Sequence, residues 1–407
     1  MGDNTIKGTV IVGAGQAALS CSSKLRALGY EKPITLIGEE DFPPYQRPPL
    51  SKAYLLNETG REDLFLRPSS FYEDQNISLK LGQRVEAIDP AAKSLTVGGD
   101  VVEYENLVLA TGTTPRRLPA AAGGDLGNCF TIRSIADIDR LAPHVRKGQR
   151  LLVIGGGYIG LEVAAVAVKL GLEVTLVEAS ERILQRVAAP ETSDYFRKLH
   201  SERGVRILES TSLERLEGEG TVSGATLANG ETLAADFVVL GIGVTANAEL
   251  AEQAGLSVEN GIRTNEKGQT SDPSIWSIGD CASFPHERGQ IRLESVGHAI
   301  DHGNLVAANI MEQDKSYVAK PWFWSDQYEV KLQIAGLNTG YDNVVVRKSD
   351  DIVQSVWYYE GDRLLAVDAM NDARAYMVGK RLIESGKSPS KDMVSDLSID
   401  LKALLKA

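Results

Sequence analysis

Cysteine is scarce and poorly placed for redox work. The 407 residues hold Cys21, Cys129 and Cys281 only, and none forms a CxxC pair, so neither a disulfide framework nor a dithiol centre is expected. No run approaches the roughly 18 apolar residues that span a bilayer, and the first residues lack the charged-then-apolar order of a secretory signal. A cytoplasmic chain without a membrane span is the expectation. Positive charge is also short: 43 Lys and Arg face 55 Asp and Glu, a net charge of -12. An acidic surface repels polyanions, which argues against wholesale binding to nucleic acid or anionic membrane. Low-complexity tracts and solenoid repeats are missing as well.

What the chain has is the makings of a folded globular protein. It is 43% hydrophobic and 24% charged, with 39 glycines, and its length suits two or three domains. An apolar run, Thr9-Val10-Ile11-Val12, leads into Gly13-Ala14-Gly15-Gln16-Ala17-Ala18. A helical pattern then reaches Leu28, and a second run, Ile34-Thr35-Leu36-Ile37, ends at Gly38-Glu39. This reads as one βαβ unit. The same order recurs at Arg150–Ile154, Gly155-Gly156-Gly157-Tyr158-Ile159-Gly160, a helix through Leu170, and Glu173–Glu178.

Each glycine turn suits a pyrophosphate, which needs backbone N–H donors at a helix N-terminus with no side chain in the way. Gly13, Gly15 and Ala18 fill the GxGxxA/G pattern, as do Gly155, Gly157 and Gly160. A plain strand-to-helix turn is the bland alternative for glycines alone. Glu39 and Glu178 at the ends of the following strands raise the nucleotide reading, because a carboxylate there grips a ribose hydroxyl. Glu178 would repel a 2′-phosphate, so the second site is expected to prefer NADH over NADPH. The alternative is that Glu178 is a solvated strand end and Arg182 reaches the phosphate.

Two further strand-then-glycine stretches, Leu107-Val108-Leu109-Ala110-Thr111-Gly112 and Phe237–Leu240 with Gly241-Ile242-Gly243, mark the crossings between domains. Ala110, Thr111 and Gly112 are assigned to the first nucleotide, and Gly241, Ile242 and Gly243 to the second together with Tyr158 and Ile159. The expected fold is α/β: two Rossmann-like dinucleotide-binding domains of the glutathione-reductase type plus a C-terminal α+β domain. The limits are 1–115 with 246–319 for a discontinuous first nucleotide domain, 116–245 for the second, and 320–407 for the last. Strand-like segments in that last domain are read at Lys331–Ile334, Asn343–Arg347 and Gln354–Tyr359 after an aromatic cluster, Trp322-Phe323-Trp324.

Ser271-Asp272-Pro273-Ser274-Ile275-Trp276-Ser277-Ile278-Gly279-Asp280-Cys281-Ala282 resembles the second flavin signature of the FAD- and NAD-linked reductases. Within these, the chain resembles the ferredoxin reductases of bacterial monooxygenase and dioxygenase systems. The resembling stretches are Tyr45-Gln46-Arg47-Pro48-Pro49-Leu50-Ser51-Lys52, Gly157-Tyr158-Ile159-Gly160-Leu161-Glu162-Val163-Ala164 and Pro321-Trp322-Phe323-Trp324-Ser325-Asp326-Gln327-Tyr328.

The resemblance implies FAD contacts at Ala17, Glu39, Lys52, Val85, Arg133, Asp280 and Val296, with Arg47 on the pyrophosphate. It also implies a Lys52–Glu162 ion pair beside the flavin, the candidate catalytic pair, and Trp324 near the exposed flavin edge. Sequence alone reads Lys52 and Glu162 as a surface lysine and a helix-face glutamate. It reads the tryptophans as interface core.

The implied activity is hydride transfer from NADH to FAD, then two one-electron transfers to a [2Fe-2S] ferredoxin serving a cytochrome P450 or a ring dioxygenase. Without CxxxxC, disulfide reduction of the glutathione or thioredoxin type is excluded. Cys21, inside the first helix, suits packing better than peroxide chemistry. Docking of an acidic ferredoxin would need a local cluster such as Arg347, Lys348, Lys380 and Arg381 with Trp324. Related reductases often carry basic residues on the helix after Val296, whereas Ala299 to Met311 has none. A rubredoxin or a quinone is the alternative acceptor, and an NADH-sensing protein like apoptosis-inducing factor the alternative class. His298 and His302 are four apart but lack a further ligand nearby, so no metal is expected. A monomer or homodimer is expected.

Overall fold

The computed structural model describes residues 8–406, so the first seven residues of the expected FAD domain and Ala407 lie outside the described residues. By its contacts the chain divides into two units. One comprises Met1–Gln46, Glu62–Thr114 and Val244–Pro321; the other Arg47–Arg61, Pro115–Gly243 and Trp322–Ala407.

In the first unit the run Thr9–Val12 is a fully buried strand. Parallel neighbours cover both its edges, and apolar side chains pack on both faces, the usual fate of a continuous β-branched run. The sheet order is Ile275–Ser277, Asn106–Leu109, Thr9–Val12, Ile34–Ile37, Ile77–Lys80, and every pairing is parallel. The helices Gln16–Ala27 and Val296–Ile310 lie against one face of this sheet through Ala18, Leu25, Val306 and Ala307. They approach closely: a Cβ on Gly303 would stand 2.7 Å from the Ala17 carbonyl oxygen. Cys21 is fully buried, and burial pushes its thiol up to about 12.

The second unit repeats the arrangement with Arg206–Leu208, Glu173–Val177, Arg150–Ile154, Phe237–Leu240 and Cys129–Phe130, again all parallel. The first glycine of each turn serves the same purpose. Gly13 has φ +117° and Gly155 φ +105°. A Cβ on Gly13 would meet the Ala110 oxygen at 2.2 Å, and one on Gly155 the Gly241 oxygen at 2.5 Å. Only glycine fits where the turn presses on the neighbouring strand end.

The chain from Trp322 forms an antiparallel five-stranded sheet in the order Trp322–Gln327, Val330–Gly336, Arg363–Met370, Gln354–Glu360, Asn343–Lys348. The helix Ala373–Glu384, capped by Asp372, covers it through Ala375, Val378 and Leu382. The aromatic cluster thus belongs to a strand, and Arg363–Met370 is a buried strand that the sequence reading did not single out. The architecture is α/β with two Rossmann-type sheets and a C-terminal α+β portion.

Candidate nucleotide and flavin sites

The helices that leave the two glycine turns, Gln16–Ala27 and Tyr158–Lys169, begin at Gly15 and Gly157, and no side chain caps either. Elsewhere Ser134, Ser295 and Asp372 accept from their helix N-termini. A Cβ built on Gly15 or Gly157 meets nothing within 4 Å, so the fold itself does not demand glycine there. What remains is an uncapped helix end with open space before it, which fits a pyrophosphate. The residues present therefore suit a dinucleotide at each turn.

In the first unit the Gly-Asp pair comes to the first turn. Gly279, at φ +71°, would place a Cβ 2.9 Å from that of Ala17 and 4.0 Å from that of Ala299. Asp280, Ala17 and the Val296 end of the long helix are thereby drawn together. Arg292 fixes the segment by donating to the Asp280 carbonyl at 2.9 Å. The Ala110-Thr111-Gly112 stretch is clamped by Asn247: Thr111 Oγ1 donates to its carbonyl at 2.6 Å, and Asn247 Nδ2 donates to the Thr111 carbonyl at 2.8 Å. Glu39 stands exposed, 3.3 Å from Arg84, and Val85 is buried.

In the second unit Lys52 Nζ lies 2.6 Å from Glu162 Oε2. Glu162 is buried while the lysine keeps partial exposure. Ser51 Oγ donates to the same oxygen at 2.6 Å, and Ser325 Oγ donates to Oε1 at 2.7 Å. The carboxylate thus accepts three hydrogen bonds, which answers the cost of burying its charge. Arg47 donates to the Arg133 carbonyl, and the Arg133 N–H to Asp137, whose carboxylate also closes the capping box with Ser134. Trp324 stacks on Trp322 with centroids 5.5 Å apart, and Phe323 sits 4.9 Å from the Tyr158 ring.

At the second glycine turn the Glu178 carboxylate accepts from the Gly156 N–H at 2.7 Å and the Ser180 N–H at 2.8 Å. Arg182, the residue that could have served a 2′-phosphate, instead donates to Ser193 Oγ. Ile159 is exposed, and Gly160 packs under the turn. The Gly241-Ile242-Gly243 turn has a neighbour that sequence reading passed over. The Arg186 guanidinium reaches to 3.8 Å of where a Cβ on Gly243 would stand.

Arg347 does not join the expected basic docking cluster. Arg347 is buried, and its guanidinium donates to the carbonyls of Val394, Asp396 and Ile399. It ties the C-terminal segment to the sheet, so its charge is not on the surface. Lys348 pairs with Asp351, and Lys380 lies over the Trp322 ring. His298 and His302 are buried against Phe284 and Tyr317, and burial lowers His298 to about 4 and His302 well below its ordinary value. Among the described residues no three His, Cys, Asp or Glu side chains gather as a metal site.

Ser51, Ser325, Asn247, Phe323 and Arg186 are the site residues that sequence reading missed. Ser51 and Ser325 lie within the stretches that carry the resemblance, which was the available signal. Nothing marked Asn247.

Residues 7–303 match the family model described as pyridine nucleotide-disulphide oxidoreductase, and residues 322–405 match the reductase C-terminal model. Rhodocoxin reductase of Rhodococcus erythropolis is 41% identical over 97% of this chain and 93% of its own length. Putidaredoxin reductase CamA of Pseudomonas putida is 40% identical over 99% and 98%. Among solved structures, the covalent putidaredoxin reductase-putidaredoxin complex aligns with a TM-score of 0.95 at 40% identity, covering 98% of each chain. Agreement in sequence and fold over nearly the whole length makes this chain a member of the pyridine nucleotide-disulphide oxidoreductase family.

Proposed function

We propose that the chain is an FAD-containing, NADH-dependent ferredoxin reductase that passes electrons to a [2Fe-2S] ferredoxin serving a cytochrome P450 or an aromatic-ring dioxygenase. The observation that carries this is the coexistence of two open, uncapped glycine turns with a buried carboxylate–lysine pair, in a chain without a dithiol. The relatives' names point the same way.

In the first unit, Gly13, Gly15 and Ala17 would bind the FAD pyrophosphate through backbone N–H groups. Glu39 would accept from the adenosine ribose, Val85 would line the adenine, and Asp280 and Val296 would hold the ribitol end, with Ala110, Thr111 and Gly112 beside it. By the family resemblance, Arg47, Lys52, Arg133 and Trp324 are assigned to FAD as well. Gly155, Gly157, Tyr158, Ile159, Gly160, Glu178 and Gly241 to Gly243 are assigned to NADH.

When bound, FAD supplies the conversion of a two-electron hydride donor into single electrons for an iron–sulfur carrier. The chain's part is to orient and to hold charge. Lys52 presents an ammonium that Glu162 and Pro48 keep in place, and such a fixed cation favours a flavin that gains negative charge on reduction. Glu178 discriminates by charge against a 2′-phosphate. The three domains, with limits 1–115 with 246–319, 116–245 and 320–407, and a cytoplasmic location are part of this reading.

Anaerobic stopped-flow absorbance tests it. The purified protein should be yellow, be bleached by NADH and be reoxidised rapidly by a matching [2Fe-2S] ferredoxin. Bleaching with slow reoxidation by every ferredoxin tried would remove the acceptor from the proposal. A charge-transfer complex that persists in air without turnover would favour a sensing role.

A further inference from the structure

The hydrogen bonds at Glu162 continue beyond Ser325 within the second unit. Ser325 Oγ lies 3.2 Å from Gln327 Nε2, Gln327 Oε1 lies 2.8 Å from His200 Nε2, and His200 Nδ1 lies 3.3 Å from the Tyr328 hydroxyl. Ser325, Gln327 and His200 are all completely buried. The chain has one direction only. A carboxylate accepts and cannot donate, so Ser325 uses its single hydrogen on Glu162 and must accept from the Gln327 amide nitrogen.

That orients the amide and turns its oxygen to His200, so Nε2 must carry the ring proton. Burial lowers His200 to about 4, which leaves the ring neutral at ordinary pH and Nδ1 free to accept from Tyr328. Burial raises the Tyr328 hydroxyl, so it stays a donor. Tyr328 holds φ +55° in the tight turn between Trp322–Gln327 and Val330–Gly336. This is an unfavourable conformation for a bulky residue. Its ring packs 4.7 Å from the Arg203 guanidinium.

We propose that Gln327 and His200 are positioning residues for Lys52: acting through Ser325, they lock the Glu162 carboxylate in the orientation that leaves Oε2 to Lys52 and Ser51. Every donor in the row points toward Glu162, so the dipoles add in favour of its charge, as aligned hydrogen bonds do in a low-dielectric interior. The role of Lys52 toward the flavin rests on the reading above; the direction of the row does not.

The test begins with the flavin-containing protein labelled with 15N-histidine. The chain has five histidines, and a His200→Asn variant identifies the His200 signals. The ring should show a protonated Nε2 and a bare Nδ1, with no titration between about pH 5.5 and 8. A protonated Nδ1 in the unsubstituted protein would overturn the proposal outright.

Gln327→Met then keeps the volume and cuts the row. Its rate of flavin reduction at saturating NADH should fall about tenfold while the NADH dissociation constant stays within about twofold, the mark of lost orientation and not of lost binding. Reduction as fast as in the parent would also overturn it. If the parent protein carries no flavin, the functional reading fails by itself, and the His200 tautomer still decides whether the row runs as stated.

Discussion

Breaking the Lys52–Glu162 pair should loosen the helix that follows the second glycine turn. Glu162 is 1% exposed and Lys52 18% by side chain, and the carboxylate accepts from Lys52, Ser51 and Ser325. Glu162→Gln keeps the shape but removes the charge. It also turns an NH2 toward either the Ser325 hydroxyl or the Lys52–Ser51 side, so one donor faces another. Losing one charge-assisted bond and mismatching a neutral one costs about 3 kcal/mol.

Lys52→Met leaves a buried carboxylate with its two serine donors and no counter-charge. That costs about 2 to 3 kcal/mol, below the 3 to 5 typical of fully buried pairs because Lys52 retains solvent. The double variant removes both problems, so the two costs should not add. A coupling of at least about 1.5 kcal/mol is expected.

A whole-protein melt would mix the unfolding of two units. Amide exchange within Tyr158–Lys169 reads the opening of that helix directly. Each single variant should speed exchange there by roughly 30- to 150-fold, at 1.4 kcal/mol per factor of ten. Single effects that add to within about 0.5 kcal/mol would refute an energetically coupled pair.

Other outcomes follow from the same geometry. Gly157→Val, at a position with ordinary φ and nothing within 4 Å of its Cβ, should leave stability within about 1 kcal/mol. It should nevertheless weaken NADH binding at least about 100-fold by filling the phosphate space, as isothermal titration would read; unaltered affinity removes Gly157 from the site. Gly155→Ala should fail differently, losing about 2 kcal/mol or more through its positive φ and the Gly241 oxygen 2.5 Å away, measured by amide exchange within Arg150–Ile154. Glu178→Ala should reduce the NADH-over-NADPH preference by about tenfold in kcat/KM, and unchanged discrimination removes Glu178 from the cofactor role.

On acidification the first unit should open before the second. Burial lowers His298 from an unfolded value of 6.5 to about 4, and lowers His302 well below that unfolded value. Between these limits the unfolded chain binds more protons, and stability falls as pH drops from 6.5 toward 4, by about 3 kcal/mol for His298 alone. In the second unit His200 behaves likewise. There, however, burial raises Asp368 from 3.8 to about 6, so protonation of the folded state offsets much of the loss between those values. Exchange profiles at about pH 7 and 5 compare the units, and equal sensitivity would contradict this balance.

The sequence by itself determined the two βαβ units, their glycine turns and the Gly279-Asp280 strand end. These are local: a strand, a turn that must approach backbone closely, and a helix start all fall within a few residues and leave a periodic pattern. Lys52 apart, which the family resemblance paired with Glu162, only the tertiary structure decided what surrounds that carboxylate. Its donors Ser51, Lys52 and Ser325 lie 111, 110 and 163 residues away along the chain. Asn247 is likewise 136 residues from Thr111. Contacts across such separations leave no period in the sequence. The same reason governs Arg347, which reads as a surface charge beside Lys348 until its strand is seen to turn it inward beneath the carbonyls of Val394 to Ile399. Strand alternation says which face a side chain takes, but the fold alone says whether that face meets water or chain.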